Sequence, residues 1–313
     1  EAGWYQGRHE PNLMGWLDLV ALGTVCDVVA LEGLNRAFVT QGLKVMAQRE
    51  NPGLKALASV AKIEQKPEAY HLGFVFGPRV NAAGRVGEAD LGARLLSTED
   101  ATEAMKIAQA LDTFNDSRKE IEAQVQAEAI AQAEQMSSEA PVLVVGGDGW
   151  HPGVIGIVAG RLKERFNRPT CVVAFDGETG KGSGRSVQGL ALGPAVIAAH
   201  QSGLLVGGGG HAMAAGFTIE RCKLDAFRTF MSKRFVVELA GEPLVASVAL
   251  DGVLAPAGAN RLLLDALAKL GPFGSGNPEP HFAIASAKIV RVDVVGQNHV
   301  RCIFTGADGG KLK

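Results

Sequence analysis

At 313 residues the chain is long enough for two or three domains with sizeable cores. Hydrophobic residues make up 47% and charged residues 20%, as in ordinary globular proteins, and a net charge of −2 excludes an overall basic field, so any nucleic acid has to be met by a local groove. No apolar run approaches the ~20 residues of a membrane span and no signal peptide is visible, so a cytoplasmic protein with no membrane partner is expected.

Forty glycines are the anomaly, many of them in clusters such as GGGG (207–210), and loops built from backbone are expected to matter. The cysteines, Cys26, Cys171, Cys222 and Cys302, are scattered without a CxxC pair and read as reduced, buried thiols. Both ends read as cut. Residue 1 is Glu, and NHVRCIFTGADGGKLK (298–313) reads as a strand, a turn and the start of a return strand, so an internal fragment is expected.

In chain order, VALGTVCDVVAL (20–31) reads as a buried strand or strand end with one carboxylate, Asp27, inside it. The following LNRAFVTQGLKVMAQR has helical spacing at Phe38, Leu43 and Met46, which makes 13–48 a strand-to-helix unit at the tail of an α/β domain. An unpaired ionised carboxylate in a core costs several kcal/mol, so Asp27 has to be paired, hydrogen-bonded or metal-bound. Its plain alternatives are a cap on the next helix and an ion pair with Arg36. Residues 52–98 read as helical with interruptions, among them the polar knot GPRVNAAGR (77–85). Over 99–136, Ala104, Ile107, Leu111, Phe114, Ile121, Val125 and Ala129 recur three, four or seven apart. Asp116, Arg118, Lys119, Glu120 and Glu122 fill the gaps, and the pattern predicts one long helix of ~55 Å able to bridge two domains.

After Pro141 the texture becomes βαβ: VLVVGG, the amphipathic GVIGIVAGRLKERF, then TCVVAF. A strand around GSGRSV, a helix at GPAVIAAHQS, the glycine loop, a strand AAGFTI and a helix over 223–240 follow. From Glu242 on, ASVALDGVL, HFAIASAKIVRVDVVG and HVRCIF read as half-buried strands of a small β-barrel or β-rich third domain, with Val290, Val292 and Val294 on one face and Arg291 and Asp293 on the other.

Several of these stretches carry chemistry. In the knot, Arg79 and Arg85 flank Asn81, and paired guanidiniums suit bidentate phosphate recognition; a loop ion-paired to Glu88 or Asp90 is the plain alternative. GKGSGRS (180–186) offers Lys181, Ser183, Arg185 and Ser186 among glycines, a mixture suited to an anion, without the GxxxxGK[ST] spacing of a Walker A loop. In GGGGHAMAAG (207–216), His211 follows a run that permits close backbone approach, and a flexible turn is the alternative. Both glycine-rich elements flank strands of one α/β domain, so two anion-binding loops at strand ends converging on one groove are expected.

LDLVALGTVCDVVAL, LGFVFGPRVNAAGRVG, LDTFNDSRKEIE, WHPGVIGIVAGRLKERFNRPTCVV, GKGSGRS, GGGGHAMAAGF and PFGSGNPEPHF occur in this order along nearly the whole chain. Together they resemble the RecJ family of single-strand-specific exonucleases in the DHH phosphoesterase superfamily. The resemblance implies an α/β fold class in four parts. These are the C-terminal part of a DHH catalytic domain (1–50), a helical segment with the long interdomain helix (51–138), a DHH-associated substrate-binding domain (139–240) and a partial oligonucleotide-binding (OB) barrel (241–313).

It also implies a 5′-to-3′ exonuclease of single-stranded DNA in recombination and repair, with a pair of Mn²⁺ or Mg²⁺ ions. The expected partners are single-stranded DNA, a single-strand-binding protein and a helicase, and the protein is expected to be a monomer. By position, Asp27 matches the last metal-ligand aspartate. Ser183, Gly184, Arg185 and Ser186, with Gly209, Gly210 and His211, match the nucleic-acid path, and Arg79, Asn81 and Arg85 match a knot facing the phosphates. The chain departs from the family in holding no DHH or DxD string, and Asp27 alone cannot hold two metals, so the chain by itself is expected to be inactive. Two alternatives stand beside this reading: a DHH-type phosphodiesterase of short oligonucleotides or cyclic dinucleotides, and a non-catalytic DNA-binding fragment.

Overall fold

The computed structural model describes residues 4–7, 9–137, 139–296 and 299–313; Asn298 of the expected C-terminal strand lies outside the described residues. The chain forms two compact units, one of Glu1–Val80, Ala93–Gln109 and Ser247–Lys313, the other of Asn81–Gly92 and Ala110–Ala246. The elements begin with α1 (Leu17–Cys26), α2 (Gly33–Met46), α3 (Pro52–Val60), a single turn α4 (Ala69–His71) running into a π-helical turn (Leu72–Phe76), α5 (Gly77–Val86), α6 (Leu91–Ser97) and α7 (Ala101–Glu134). The second half holds β1 (Leu143–Asp148), α8 (Ile155–Phe166), β2 (Thr170–Asp176), β3 (Thr179–Arg185), α9 (Leu192–Gln201), β4 (Gly207–His211), β5 (Ala214–Glu220) and α10 (Leu224–Leu239). The tail adds β6 (Gly252–Val253), α11 (Arg261–Ala268), β7 (Phe282–Ala283), β8 (Lys288–Val295), β9 (His299–Thr305) and β10 (Lys311–Leu312).

In the first unit, the stretch expected to be a buried strand is helical. A short continuous apolar run cannot tell a strand from a buried helix; what decides is which residues bury together, and Leu17, Asp18, Ala21 and Leu22 do so at helical spacing. Gly42 of α2 makes this packing close, since a Cβ there would lie 2.1 Å from the Leu17 carbonyl oxygen and 2.6 Å from the Ala21 Cβ. The buried carboxylate of the region is therefore Asp18, 4% exposed, and not Asp27, which caps the C-terminal end of α1 in the open. The knot GPRVNAAGR is also helix rather than loop. Pro78 follows directly on the π-helical turn, and Ala82 and Ala83 are fully buried.

The tail strands are sparser than expected. ASVALDGVL contributes only β6, paired in parallel with β7, and β8, β9 and β10 form a separate antiparallel sheet, so the barrel is not closed. Val290, Val292 and Val294 are exposed rather than half-buried. On the other face Arg291 and Arg301 pair with Asp293 at 3.0 and 2.7 Å.

The second unit is built on one sheet of order β1-β2-β3-β5-β4, parallel only between β1 and β2. The run GGGG is thus an edge strand, not a loop. Alternation along β1 and β2 sorts side chains to two cores. Val144, Cys171, Val173 and Phe175 face α9 and α10, with Val196, Phe227, Met231 and Phe235. Leu143, Val145, Val172 and Ala174 face α7 and α8, with Val125, Ala129, Ala133, Val158 and Leu162. Each large side chain so buried stabilises the fold by about 1.5–3 kcal/mol. The long helix is present as α7, ~51 Å at ~1.5 Å per residue, with 110–134 in this unit. From it the Gln132 amide accepts from the Gly146 N–H (3.2 Å) and donates to the Gly146 carbonyl (3.0 Å), and Arg228 donates to the Val144 carbonyl, so side chains close the β1 edge.

All four cysteines are free, but only Cys171 is buried, its thiol pushed up to about 12 by desolvation, while Cys222 is exposed. Among the described residues no helix is long and apolar enough to cross a membrane.

Burial also raises the Asp18 carboxyl above its ordinary value, against a 2.7 Å hydrogen bond from the Leu19 N–H. The proton is therefore held more tightly in the folded chain, and Asp18 contributes stability below about pH 4 that is lost as pH rises through the folded-state pKa. Asp18→Asn is expected to raise the melting temperature at pH 7 and to lose that advantage below about pH 4; thermal melts across this range check it.

Candidate functional site: a half-covered sheet face

Glycine spacing in β3 is a consequence of packing. A Cβ at Gly182 would meet the Phe217 ring at 2.2 Å, one at Gly180 the Val173 side chain at 2.6 Å, and one at Gly184 the Leu192 side chain at 2.6 Å. Gly180, Gly182 and Gly184 therefore press against the α9–α10 core, and Lys181, Ser183 and Arg185 are turned to the opposite face. Register carries this face across the sheet in rows: Lys181–Thr218–Gly207, Ser183–Gly216–Gly209 and Arg185–Ala214–His211. Helix α8 covers β2 and reaches β3. Beyond it Gly207 and Gly209 have open space where a Cβ would be, and Gly216 has only a carbonyl at 4.0 Å. The result is a cleft of about 440 Å³ whose lining includes Pro152, Ile155, Lys181, Ser183, Gly207, Gly216 and Thr218.

The expectation of anion-binding loops at strand ends is corrected here. β3 is paired on both edges, so its backbone N–H groups are spent on the ladder, and the chemistry left is that of side chains on one face. Gly184 and Gly210 lie on the opposite face, against the Leu192 and Ala215 side chains respectively. Ser186 is buried and donates to the Leu190 carbonyl at 2.7 Å, a structural bond. Gly209 and His211 share the open face, with His211 exposed at the sheet edge.

Two guanidiniums stand beside the cleft near the start of α8. Arg185 donates to Ser183 Oγ (3.2 Å) and the Gly184 carbonyl (2.8 Å), and Arg85, from the end of α5, donates to the Gly153 carbonyl (2.9 Å). Gly156 admits this arrangement, since a Cβ there would lie 3.0 Å from Arg185 Nη2 and 3.1 Å from Ser183 Oγ. Neither arginine meets a carboxylate in these bonds. Burial, and then Arg85's charge, lowers the Arg185 pKa; burial, and then Arg118's charge, lowers that of Arg85, with Glu122 opposing. Both stay protonated at neutral pH, Arg185 half-buried and Arg85 exposed, so the site holds cations that an anion from solvent can reach.

Asn81 is exposed on α5. In the first unit, Arg79 donates along its own helix to the Val75 carbonyl (2.9 Å). Asp27 neither caps α2, whose N-cap is Glu32, nor pairs with Arg36, which donates instead to the Leu270 and Gly271 carbonyls. Among the described residues no three His, Cys, Asp or Glu side chains are grouped to hold a metal ion, so the residues present do not fit a two-metal site. Arg118 and Glu122, which fill gaps between the apolar positions of the long helix, are ion-paired and only 12% and 13% exposed. The signal that set them apart was small: Asn115, one helical turn before Arg118, is a polar residue at a buried position, and it accepts from Arg118 at 3.0 Å.

Comparison with known proteins agrees with this architecture. The DHHA1 domain profile matches residues 139–236 and the RecJ OB domain profile matches 250–313. The single-stranded-DNA-specific exonuclease RecJ of Dickeya dadantii is 40% identical over the whole of this chain, which spans 56% of that protein. Crystal structures of RecJ from Thermus thermophilus in complex with Mg²⁺ and with Mn²⁺ superpose with TM-scores of 0.81 and 0.83 at 33% identity, each over 96% of this chain and 46% and 44% of theirs. A half-covered DHHA1 sheet followed by an OB-type segment defines a protein of the DHHA1-containing class. Within that class, the chain belongs to the RecJ family, and it spans about half the length of the curated relatives it matches.

The two kinds of glycine should separate on substitution. Gly182→Ala is expected to destabilise by about 1–3 kcal/mol through overpacking on Phe217, and Gly209→Ala to stay within about 1 kcal/mol of the parent; urea unfolding of both variants measures this.

Proposed function

We propose that this chain is the nucleic-acid-gripping part of a RecJ-type exonuclease that degrades single-stranded DNA 5′ to 3′ in recombination and repair. The observation that carries this reading is the pair of guanidiniums, Arg85 and Arg185, hydrogen-bonded to no carboxylate among the described residues, beside a cleft floored by glycines. Phosphates of a strand in the cleft would accept from Arg85, Arg185, Ser183 and Lys181, while Gly207, Gly209 and Gly216 let the strand lie close to the sheet. His211 at the edge would extend the path, and the OB-type segment (241–313) would bind single strands as a module of its own. The match of that segment to the RecJ OB domain favours a polymer substrate over a dinucleotide. The assignment of 1–50 to the end of a DHH domain, 51–138 to the helical segment and 139–240 to the substrate-binding domain belongs to the same reading.

Mn²⁺ or Mg²⁺, the ions bound by the Thermus thermophilus protein, would serve the hydrolysis, with Asp27 as the one ligand drawn from this chain. No step through a metal follows from the residues present. A single-strand-binding protein and a helicase are the proposed partners of the complete protein, which would act as a monomer.

Fluorescence anisotropy with a 3′-labelled oligothymidylate tests the grip. Arg185→Ala is expected to weaken binding roughly tenfold or more and to flatten the dependence of log Kd on log salt by about one contact. Unchanged affinity and slope would remove Arg185 from the path. Incubating the chain with Mn²⁺ and single-stranded DNA is expected to release no nucleotides; release above background that survives Asp27→Ala would overturn the metal assignment.

A further inference from the structure

Glu122 is the carboxylate that reaches Arg85 electrostatically, and it is already engaged: it forms a close ion pair with Arg118, one helical turn earlier on α7. The Arg118 side chain is fixed on its other side by Asn115, which is 1% exposed and accepts from Arg118 Nη2 at 3.0 Å. The end of α5 packs tightly here, since a Cβ on Gly87 would lie 2.7 Å from the Phe114 ring. Arg85, two residues before Gly87, is left donating to the neutral Gly153 carbonyl. Were Arg118 absent, Glu122 would be a largely buried carboxylate within electrostatic reach of Arg85, and a salt bridge between them would neutralise Arg85.

We infer that Arg118 is a positioning residue that sequesters Glu122, so that the Arg85 guanidinium stays unpaired and available to an anionic phosphate ligand. The inference rests on the phosphate-gripping role of Arg85 given above and adds a mechanism for keeping that cation free. With Glu122 neutralised by Arg118, the cluster of Arg85, Arg118, Arg185 and Glu122 keeps two positive charges, and both sit beside the cleft. The cost is a buried ion pair that adds little stability itself.

Substitution tests this by rescue. Arg118→Met is expected to weaken oligothymidylate binding roughly tenfold, the loss of one charge-assisted contact. The double variant Arg118→Met/Glu122→Gln is expected to bind within about twofold of the parent, because the carboxylate that would capture Arg85 is gone. A residue with only a structural role gives the opposite order, the double variant binding no better than the single one, and that result overturns the inference. A crystal structure of Arg118→Met gives a readout independent of DNA. An Arg85–Glu122 ion pair is expected; Arg85 still on the Gly153 carbonyl with Glu122 unpaired would overturn the inference. Arg85→Ala separates the two layers, since unchanged binding in that variant refutes the phosphate-gripping role, whatever pairing the Arg118→Met structure shows.

Discussion

The ring of Phe217 occupies the space that a Cβ on Gly182 would need, and that contact fixes which face of β3 is chemical. With Gly180, Gly182 and Gly184 pressed on the α9–α10 core, Lys181, Ser183 and Arg185 have only the other face to occupy. Helix α8 covers that face as far as β3, and the glycines of β4 and β5 beyond offer no apolar side chain that would call for a further helix. A site therefore arises where the sheet's second layer runs out, floored by backbone and rimmed by cations.

The same economy governs the electrostatics. Arg85 and Arg185 donate to a serine hydroxyl and to backbone carbonyls, partners that orient a guanidinium without cancelling its charge. Desolvation and a neighbouring arginine disfavour each cation, Arg85 acting on Arg185 and Arg118 on Arg85, and neither is held by a hydrogen bond to a carboxylate. At the far edge of the sheet the treatment differs: Gln132 and Arg228 close the backbone of β1 with side chains, while β4 is glycine up to His211.

Much of the second unit was legible in the sequence because its signals are periodic. The βαβ start, α9, α10 and the long helix follow from apolar spacing, and Arg185 and Ser183 follow from their mixture with glycine. What misled was glycine itself and the short apolar run. A strand around GSGRSV was legible, but anion-binding loops were expected at the strand ends, and GGGG read as a loop because glycine permits turns. Yet in β3 glycine is required by aromatic and aliphatic side chains across the sheet, which a single sequence does not display. VALGTVCDVVAL read as a strand with a trapped carboxylate, yet helical burial puts Asp18 inside and leaves Asp27 out. Arg118 and Glu122 were read only as filling gaps between apolar positions, because nothing local in the sequence says that this turn of α7 will be largely buried.

The most direct test of the account is a nuclear magnetic resonance titration of the chain with a short oligothymidylate, reading backbone amides and arginine guanidinium groups together. Occupation of the cleft predicts that the Gly207, Gly209 and Gly216 amides and the Arg85 and Arg185 side-chain signals shift with one common affinity. Shifts confined to the OB-type strands, with those five residues unmoved at saturation, would contradict it.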